Sequence, residues 1–115
     1  MFEKTKELLK YANNWLQDGL GAVNSEGQDV SPYEDEAVKW SLLGAIYLEL
    51  ITDINDNEDL ENLDYLFAMK LQMVEEAIEA YTGKEMSVVE FNNEYTFEDL
   101  HHILDMLIYD YTKIH

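Results

Sequence analysis

The stretch SPYEDEAVKWSLLGAIYLELI, residues 31–51, decides the fold that this sequence predicts. Its first four residues have a helix-start pattern. Ser31 can cap a helix, Pro32 loses no needed N–H in a first turn, and Glu34 can reach back to the cap. The pattern predicts that a helix begins at Pro32.

The remainder of this stretch, from Trp40 to Ile51, is apolar almost all round, which is typical of a buried helix. At about a dozen residues it is too short to span a bilayer, so we expect no membrane segment here. We predict one central helix from Pro32 to about Asp53, with the other helices packed around it. The side chains expected in the core are Trp40, Leu43, Ile46, Tyr47 and Leu50.

The composition favours one helical domain spanning residues 1–115. A chain of 115 residues is long enough to bury a core without staples, and one proline with five glycines is typical of a helix-rich chain. The absence of cysteine excludes disulfides and thiolate chemistry and favours a reducing compartment. We therefore expect a cytoplasmic protein, which means the host cytoplasm if the protein is phage-encoded.

The charge of the chain is strongly acidic. There are 25 acidic residues against 7 basic ones, for a net charge of −18, and every base is a lysine. The acids are spread along the chain rather than gathered in a tail. Such a surface repels nucleic acid and lacks the arginine side chains that read phosphates and bases, so we expect no direct DNA or RNA binding.

The predicted fold class is all-α, a compact bundle of about four main helices around the buried central helix. Capping residues and apolar periodicity place the other elements. These are a helix over 3–16, a small loop or hairpin at 19–31 turning at Ser25–Gly27, a helix over 58–82 ending at Gly83, a short helix opened by Ser87, and a last helix capped by Thr96 with Asp99 at its third position.

Three segments of the sequence form a recognisable pattern. They are Trp15-Leu16-Gln17 followed by Gly21-Ala22 and Glu26-Gly27, the run AVKWSLLGA at 37–45, and Val89–Asn93 followed by Thr96. Together they resemble a small bacterial and phage family that is one of the domains of unknown function. The family has arginine, cysteine and tryptophan where this chain has Lys39, Ser41 and Phe91. The resemblance implies a compact helical domain in phage or bacteria, and it implies no activity.

The segment 53–64 carries part of a calcium-loop pattern. Oxygen-bearing side chains occupy its first, third and fifth positions. However, Glu58 stands where the sharp turn needs glycine, and Asp64 stands where a bidentate glutamate is usual. We therefore interpret this segment as a solvated, capped link between helices.

The other metal and catalytic patterns are equally incomplete. Glu98 and His101 have the spacing of two ligands on one helix face, but a di-iron bundle needs a second copy that this sequence lacks. His101 and His102 are therefore predicted to be solvated. The sequence also lacks a phosphate-binding glycine loop, a G-x-S-x-G elbow and an H-E-x-x-H motif. We expect no metal, no cofactor and no catalytic residue.

Glu49 is the one acid inside the apolar run, and two interpretations of it are open. It surfaces at the edge of the central helix, which we favour, or it is a buried acid with a functional role. Two interpretations are also possible for a strip formed by Tyr65, Met69 and Met73. It lies between two covering elements, or it is a contact face for a partner or a second copy in a homodimer.

These observations lead to a functional hypothesis. We expect an acidic, non-enzymatic protein that binds another protein. In its leading form it is a phage-encoded counter-defence inhibitor or regulator whose carboxylates occupy a basic nucleic-acid-binding groove, as a DNA mimic does. Two clusters lie near the ends of the central helix, which at about 22 residues would hold them about 33 Å apart. The candidate partner-binding residues are Glu34, Asp35 and Glu36 at its start, Asp53, Asp56, Glu58, Asp59 and Glu61 beyond its end, and Glu75, Glu76 and Glu79 as an extension.

Two other hypotheses remain open. The chain is a cytosolic structural or dimerisation module whose charge serves only solubility, or it is a metal- or ligand-binding protein that uses the 53–64 link or Glu98 and His101.

Overall fold

The described part of the chain is predominantly helical and carries one small sheet. The computed structural model describes residues 1–54 and 56–110, without the side chain of Asp110. In chain order the elements are α1 (Glu3–Leu8), a 3₁₀ turn (Ala12–Asn14), β1 (Ala22–Val23), β2 (Asp29–Val30), β3 (Lys39–Trp40), α2 (Leu42–Asp53), α3 (Asn57–Glu61), α4 (Leu63–Thr82), α5 (Val88–Glu94), α6 (Phe97–Asp105) and a π-helical turn (Met106–Asp110).

Helix α2 is the central helix, and it packs against α1, α4 and α5. It begins at Leu42 and not at Pro32, so the predicted start is wrong. Ser41 has extended backbone angles, and its side chain accepts a hydrogen bond from the Gly44 N–H at 3.0 Å. Ser41 is therefore the N-cap that Ser31 was expected to be.

The segment before α2 forms a turn and a strand. Glu34 does reach back, because the Ser31 N–H donates to its Oε2 at 2.8 Å, but the chain leaves the turn without forming a helix. The following Val38 and Trp40 are residue types that favour strands. The Val38 N–H donates to the Val23 carbonyl, and β3 follows directly.

The three short strands form an antiparallel sheet in the order β2–β1–β3. A loop or a hairpin was expected at 19–31, and the structure shows a hairpin of β1 and β2, which pair Ala22 with Val30. Asn24 Oδ1 accepts from the backbone N–H groups of Glu26 and Gln28 and so shapes the turn. The all-α prediction is corrected by this sheet, since β3 lies where the first turns of the central helix were expected.

Two other predicted helices are shorter or divided. The helix expected over 3–16 ends at Leu8, and a 3₁₀ turn with two asparagines follows it. The helix expected over 58–82 is split at Asn62, whose side chain donates to the Glu58 carbonyl at 2.9 Å and competes with continued helix. The starts at Ser87 and Thr96 and the end at Gly83 are confirmed.

The core spans the described chain from Phe2 to Leu107. Of the central-helix residues predicted to be buried, Ile46 and Leu50 are buried, whereas Trp40, Leu43 and Tyr47 are half-buried. Trp40 lies in β3, and its indole N–H donates to the Pro32 carbonyl at 3.0 Å. The fully buried residues outside that helix include Phe2, Leu9, Val74, Ile78, Leu100, Ile103 and Leu104.

Gly44 provides the first test of this packing. A Cβ at Gly44 would lie 2.4 Å from the Gly21 carbonyl oxygen, which is rigid backbone. Helix propensity alone would make Gly44→Ala stabilising by about 1 kcal/mol. We expect it to destabilise the protein by about 1–3 kcal/mol, because α2 must move away from the chain before β1.

The matched control is Gly19→Ala. Its Cβ would lie 2.6 Å from Leu16 Cδ2, the end of a flexible side chain that can rotate away. Urea unfolding of both variants should show a clearly larger loss for Gly44→Ala. Equal losses, or a stabilised Gly44→Ala protein, would show that the close approach of α2 is not as described.

Candidate partner-binding surfaces

The first predicted acidic cluster, Glu34 to Glu36, is exposed in the turn before β3. The side chains of Asp35 and Glu36 face the hairpin turn across a cleft of about 460 Å³. Glu26 lies in the same cleft, and the sequence analysis missed it because only the sheet brings the hairpin to this segment. The remaining lining residues are Asn24, Ser25, Gln28 and Val38, so no cation lines the cleft.

The second predicted cluster is only partly available to a partner. Asp53 forms an ion pair with Lys4 of α1. Asp56 caps α3 by accepting from the Asp59 N–H at 2.8 Å, and Asp59 is half-buried. The two members that remain simply exposed are Glu58 and Glu61.

The predicted separation of these clusters along one helix is wrong. Helix α2 has 12 residues, which corresponds to about 18 Å at 1.5 Å per residue. The cluster at Glu34 to Glu36 precedes β3 and does not lie at a helix start. A spacing of about 33 Å set by one continuous helix is therefore excluded.

The third predicted group lies on α4 beside the apolar strip. Glu76 and Glu79 are exposed and Glu75 is half-buried. In the strip, Tyr65 is 66% exposed and Met69 is 47% exposed. Met73 is half-buried and packs against the core, so only the Tyr65 and Met69 end of the strip is uncovered.

Glu49 is buried, at 2% exposure, so the favoured interpretation that it surfaces is wrong. Its two oxygens accept from backbone N–H groups at the start of α1: Oε2 from Phe2 at 2.7 Å and Oε1 from Thr5 at 2.8 Å. The Lys70 ammonium lies 3.6 Å from Oε2. The first N–H groups of a helix lack intrahelical partners and carry partial positive charge, so this carboxylate caps α1 from another helix.

This cap predicts the effect of Glu49→Gln. The amide NH₂ group cannot accept a hydrogen bond, so one buried backbone N–H loses its partner, at a cost of about 1–3 kcal/mol. The control is Glu7→Gln, which removes an exposed acid from α1 itself and should change the free energy of unfolding little. If the two variants unfold at the same urea concentration, Glu49 does not cap α1.

Asn92 is a buried polar residue that the sequence analysis did not single out for its side chain. It is 1% exposed. Its Oδ1 accepts from the Trp15 indole N–H at 2.7 Å and from the Leu42 N–H at 2.9 Å, while its Nδ2 donates to the carbonyls of Leu16 and Gln17. Both polar groups of the Asn92 side chain thus form hydrogen bonds. These bonds join α5 to the start of α2 and to the chain after the 3₁₀ turn. Its role is structural.

The prediction that both histidines are solvated is wrong for His101, whereas His102 is exposed as predicted. The His101 ring is half-buried, and its Nε2 lies 2.7 Å from the Leu9 carbonyl, so His101 is not simply solvated. His102 is exposed and stacks on Tyr81, with ring centroids 5.4 Å apart. Among the described side chains, those of residues 1–54 and 56–109, no three His, Asp or Glu groups are placed so that they could hold a metal ion. Position 55 of the 53–64 link lies outside the described residues.

Asp99 links the start of α6 to α4. The Tyr81 hydroxyl donates to its Oδ1 at 2.7 Å, and the Thr96 N–H donates to its Oδ2 at 3.1 Å, which completes a capping box. Chiefly the Tyr81 hydrogen bond, and then the Thr96 N–H, lower the pKa of Asp99. The same hydrogen bond raises the pKa of Tyr81.

A lowered pKa makes the contribution of Asp99 to stability dependent on pH. That contribution is complete above its unfolded pKa of about 3.9 and is lost as the pH falls through the lower folded value. Asp99→Asn should therefore cost about 1 kcal/mol at neutral pH, in the range for a helix cap, and progressively less in acid. Urea unfolding of the variant and the wild type from neutral pH into strong acid measures this difference. Glu98→Gln is the control, and a constant difference for Asp99→Asn at all pH values would contradict the assignment.

Each helix in the described ranges is too short or too polar to cross a lipid bilayer. No protein-family model, no curated protein and no solved structure matches the chain significantly.

Proposed function

We propose that this chain is a non-enzymatic acidic binding protein that docks on a basic surface of another protein. The main support is the acidic cleft between the hairpin turn and residues 34–36. Glu26, Asp35 and Glu36 come from two separate segments and line one cleft without a cation. Carboxylates held in this way attract lysine and arginine side chains and accelerate the encounter with a positive partner.

The surrounding charge supports the same proposal. Most of the described carboxylates are exposed. The ion pairs recorded between described groups involve only Glu3, Asp53, Asp105 and Glu49. Most of the negative surface charge is therefore not neutralised by ion pairs within the described chain, and it is available to an external partner.

The non-enzymatic part of the proposal follows from how the chemically notable groups are used. The carboxylate of Glu49 binds two backbone N–H groups, and the His101 Nε2 contacts the Leu9 carbonyl. Catalysis needs a base or an acid that faces a substrate within hydrogen-bond reach. These two groups face the protein's own backbone instead.

We further propose that the basic partner surface is a nucleic-acid-binding one, which the carboxylates occupy in place of phosphates. A protein of this kind would act as an inhibitor or regulator, and in a phage it would act on a host protein. The strong excess of negative charge, at −18, favours this choice of partner.

Salt dependence and competition test the proposal together. Immobilised protein should capture from bacterial lysate nucleic-acid-binding proteins that remain at about 50 mM salt and are released at about 500 mM, because screening removes the attraction. Duplex DNA should displace the captured protein. A partner that is indifferent to salt, or that holds DNA and this chain at once, would contradict mimicry, and the absence of any salt-released partner would contradict the proposed function.

The cleft itself is tested by removing its charges. The variant Glu26→Gln, Asp35→Asn, Glu36→Gln removes the three acids that line the cleft and should slow association with the captured protein by about tenfold while changing dissociation less. Glu34, which accepts the Ser31 N–H bond, is left unchanged, so the turn should survive. The matched control, Glu85→Gln, Glu90→Gln, Glu94→Gln, removes the same number of exposed charges elsewhere. Equal slowing by both variants would show that net charge matters and that the cleft does not.

A further inference from the structure

One side of α4 presents apolar residues that the core does not use. Tyr65 and Met69 are four residues apart, so they are neighbours on one helix face, and Gln72 and Glu76 continue that face at spacings of three and four. We call these four residues the α4 outer face. Tyr65 is 66% exposed and Met69 is 47% exposed. Leu60, on the preceding helix α3, is 57% exposed.

The opposite side of α4 accounts for its packing. Val74 and Ile78 are fully buried, and Phe67 packs against Tyr47 with ring centroids 5.2 Å apart. These residues attach α4 to α2 and the core. The apolar residues of the α4 outer face are therefore not needed to hold α4 in place, and they remain available for contact.

The segment that carries the α4 outer face is almost entirely acidic. The segment 57–82 contains seven acids and a single lysine, Lys70. The Lys70 ammonium points inward, 3.6 Å from Glu49 and 5.0 Å from the centroid of the Phe2 ring, and its side chain is only 14% exposed. The face is thus bordered by exposed carboxylates such as Glu61 and Asp64, with no exposed cation in this segment of the described chain.

We propose that the α4 outer face, with Leu60, docks an amphipathic basic helix of the partner protein. The apolar side of that helix would cover Tyr65 and Met69, and its lysines and arginines would pair with the bordering carboxylates. Helix docking on an exposed apolar strip is a common mode of recognition, and tyrosine and methionine are enriched at such contacts. The inference rests on the proposed function in one respect, which is that the partner is basic.

A second copy of this chain fits the same face less well. Two copies would bring their acidic borders together, and like charges repel across an interface. The α4 outer face, from Tyr65 to Glu76, extends about 16 Å at 1.5 Å per residue. That length suits about three turns of an incoming helix, whereas a stable dimer interface needs about 800 Å² from each partner.

Synthetic peptides test this assignment. The probe is a peptide of about 15–18 residues made only of leucine and lysine, with leucines at helical spacing. The comparison peptide has the same composition with the leucines dispersed, so that it has the same charge but no apolar side. The wild-type protein should bind the amphipathic peptide at least about tenfold more tightly than the dispersed one. Amide chemical-shift changes should be concentrated at residues 60–76.

The variant Tyr65→Ser, Met69→Ser should lose this preference while it keeps its net charge and its fold, since both side chains lie outside the core. Its matched control is Tyr11→Ser, Leu20→Ser, which removes two side chains that are 62% and 68% exposed elsewhere. The control should keep the preference. Retention of the preference by the Tyr65→Ser, Met69→Ser protein would overturn the assignment.

The remaining outcomes separate the two proposals. If both peptides bind equally and the amide chemical-shift changes map to residues 26–36, the proposal of a basic partner is supported and the α4 assignment is overturned. If neither peptide binds at low salt, the proposed function fails and the α4 assignment fails with it. Sedimentation of the wild-type protein as a dimer that Tyr65→Ser, Met69→Ser dissociates would place a second copy on the face and would also overturn the assignment.

Discussion

The structure depends on one carboxylate placed where apolar surroundings would ordinarily exclude it. Removing a carboxylate from water is costly unless hydrogen bonds and opposite charge replace the lost hydration. Glu49 receives both, because the N–H groups of Phe2 and Thr5 donate to it and the Lys70 ammonium lies nearby. The bonds attach the short helix α1, which has six residues and no capping side chain of its own, to the middle of the fold. The same arrangement brings Phe2 into the core and α4 against α2.

A second polar contact fixes the other end of α2. Asn92 accepts the Leu42 N–H, and Ser41 accepts the Gly44 N–H, so the first turn of α2 is capped both by a neighbouring helix and by its own cap residue. The Ser41 N–H donates to the Gly21 carbonyl at 2.8 Å, which joins this turn to the sheet. The absence of a side chain at Gly44 permits that approach. The two ends of α2 are therefore positioned by hydrogen bonds from distant segments, while its apolar side chains supply the burial between them.

Local signals in the sequence were sufficient for the elements that local contacts determine. The helix caps that act within one turn were each predicted where they occur. They are Thr96 with Asp99, Ser87 with Glu90, and Gly83. The start of α2 could not be found in this way, because Ser31 and Ser41 both have the character of a cap. The choice depends on Asn92, which lies 50 residues from Leu42. The burial of Glu49 was equally inaccessible, since its partners Phe2 and Thr5 lie 47 and 44 residues away. Asp35 and Glu36 could be identified from the sequence as exposed acids. The cleft that they share with Glu26 could not be predicted, because it depends on strand pairing.

The acids of this chain therefore fall into two groups. Glu49, Asp56 and Asp99 accept backbone N–H bonds and determine where helices begin. The exposed carboxylates of the cleft and of the α4 border stand mostly outside such bonds, and at a net charge of −18 their mutual repulsion opposes the compact state. Solubility alone requires far less excess charge, since a net charge of magnitude about 2–8 suffices for a small domain. The surplus is thus a cost to folding, and under the proposed function a positive partner surface would offset it.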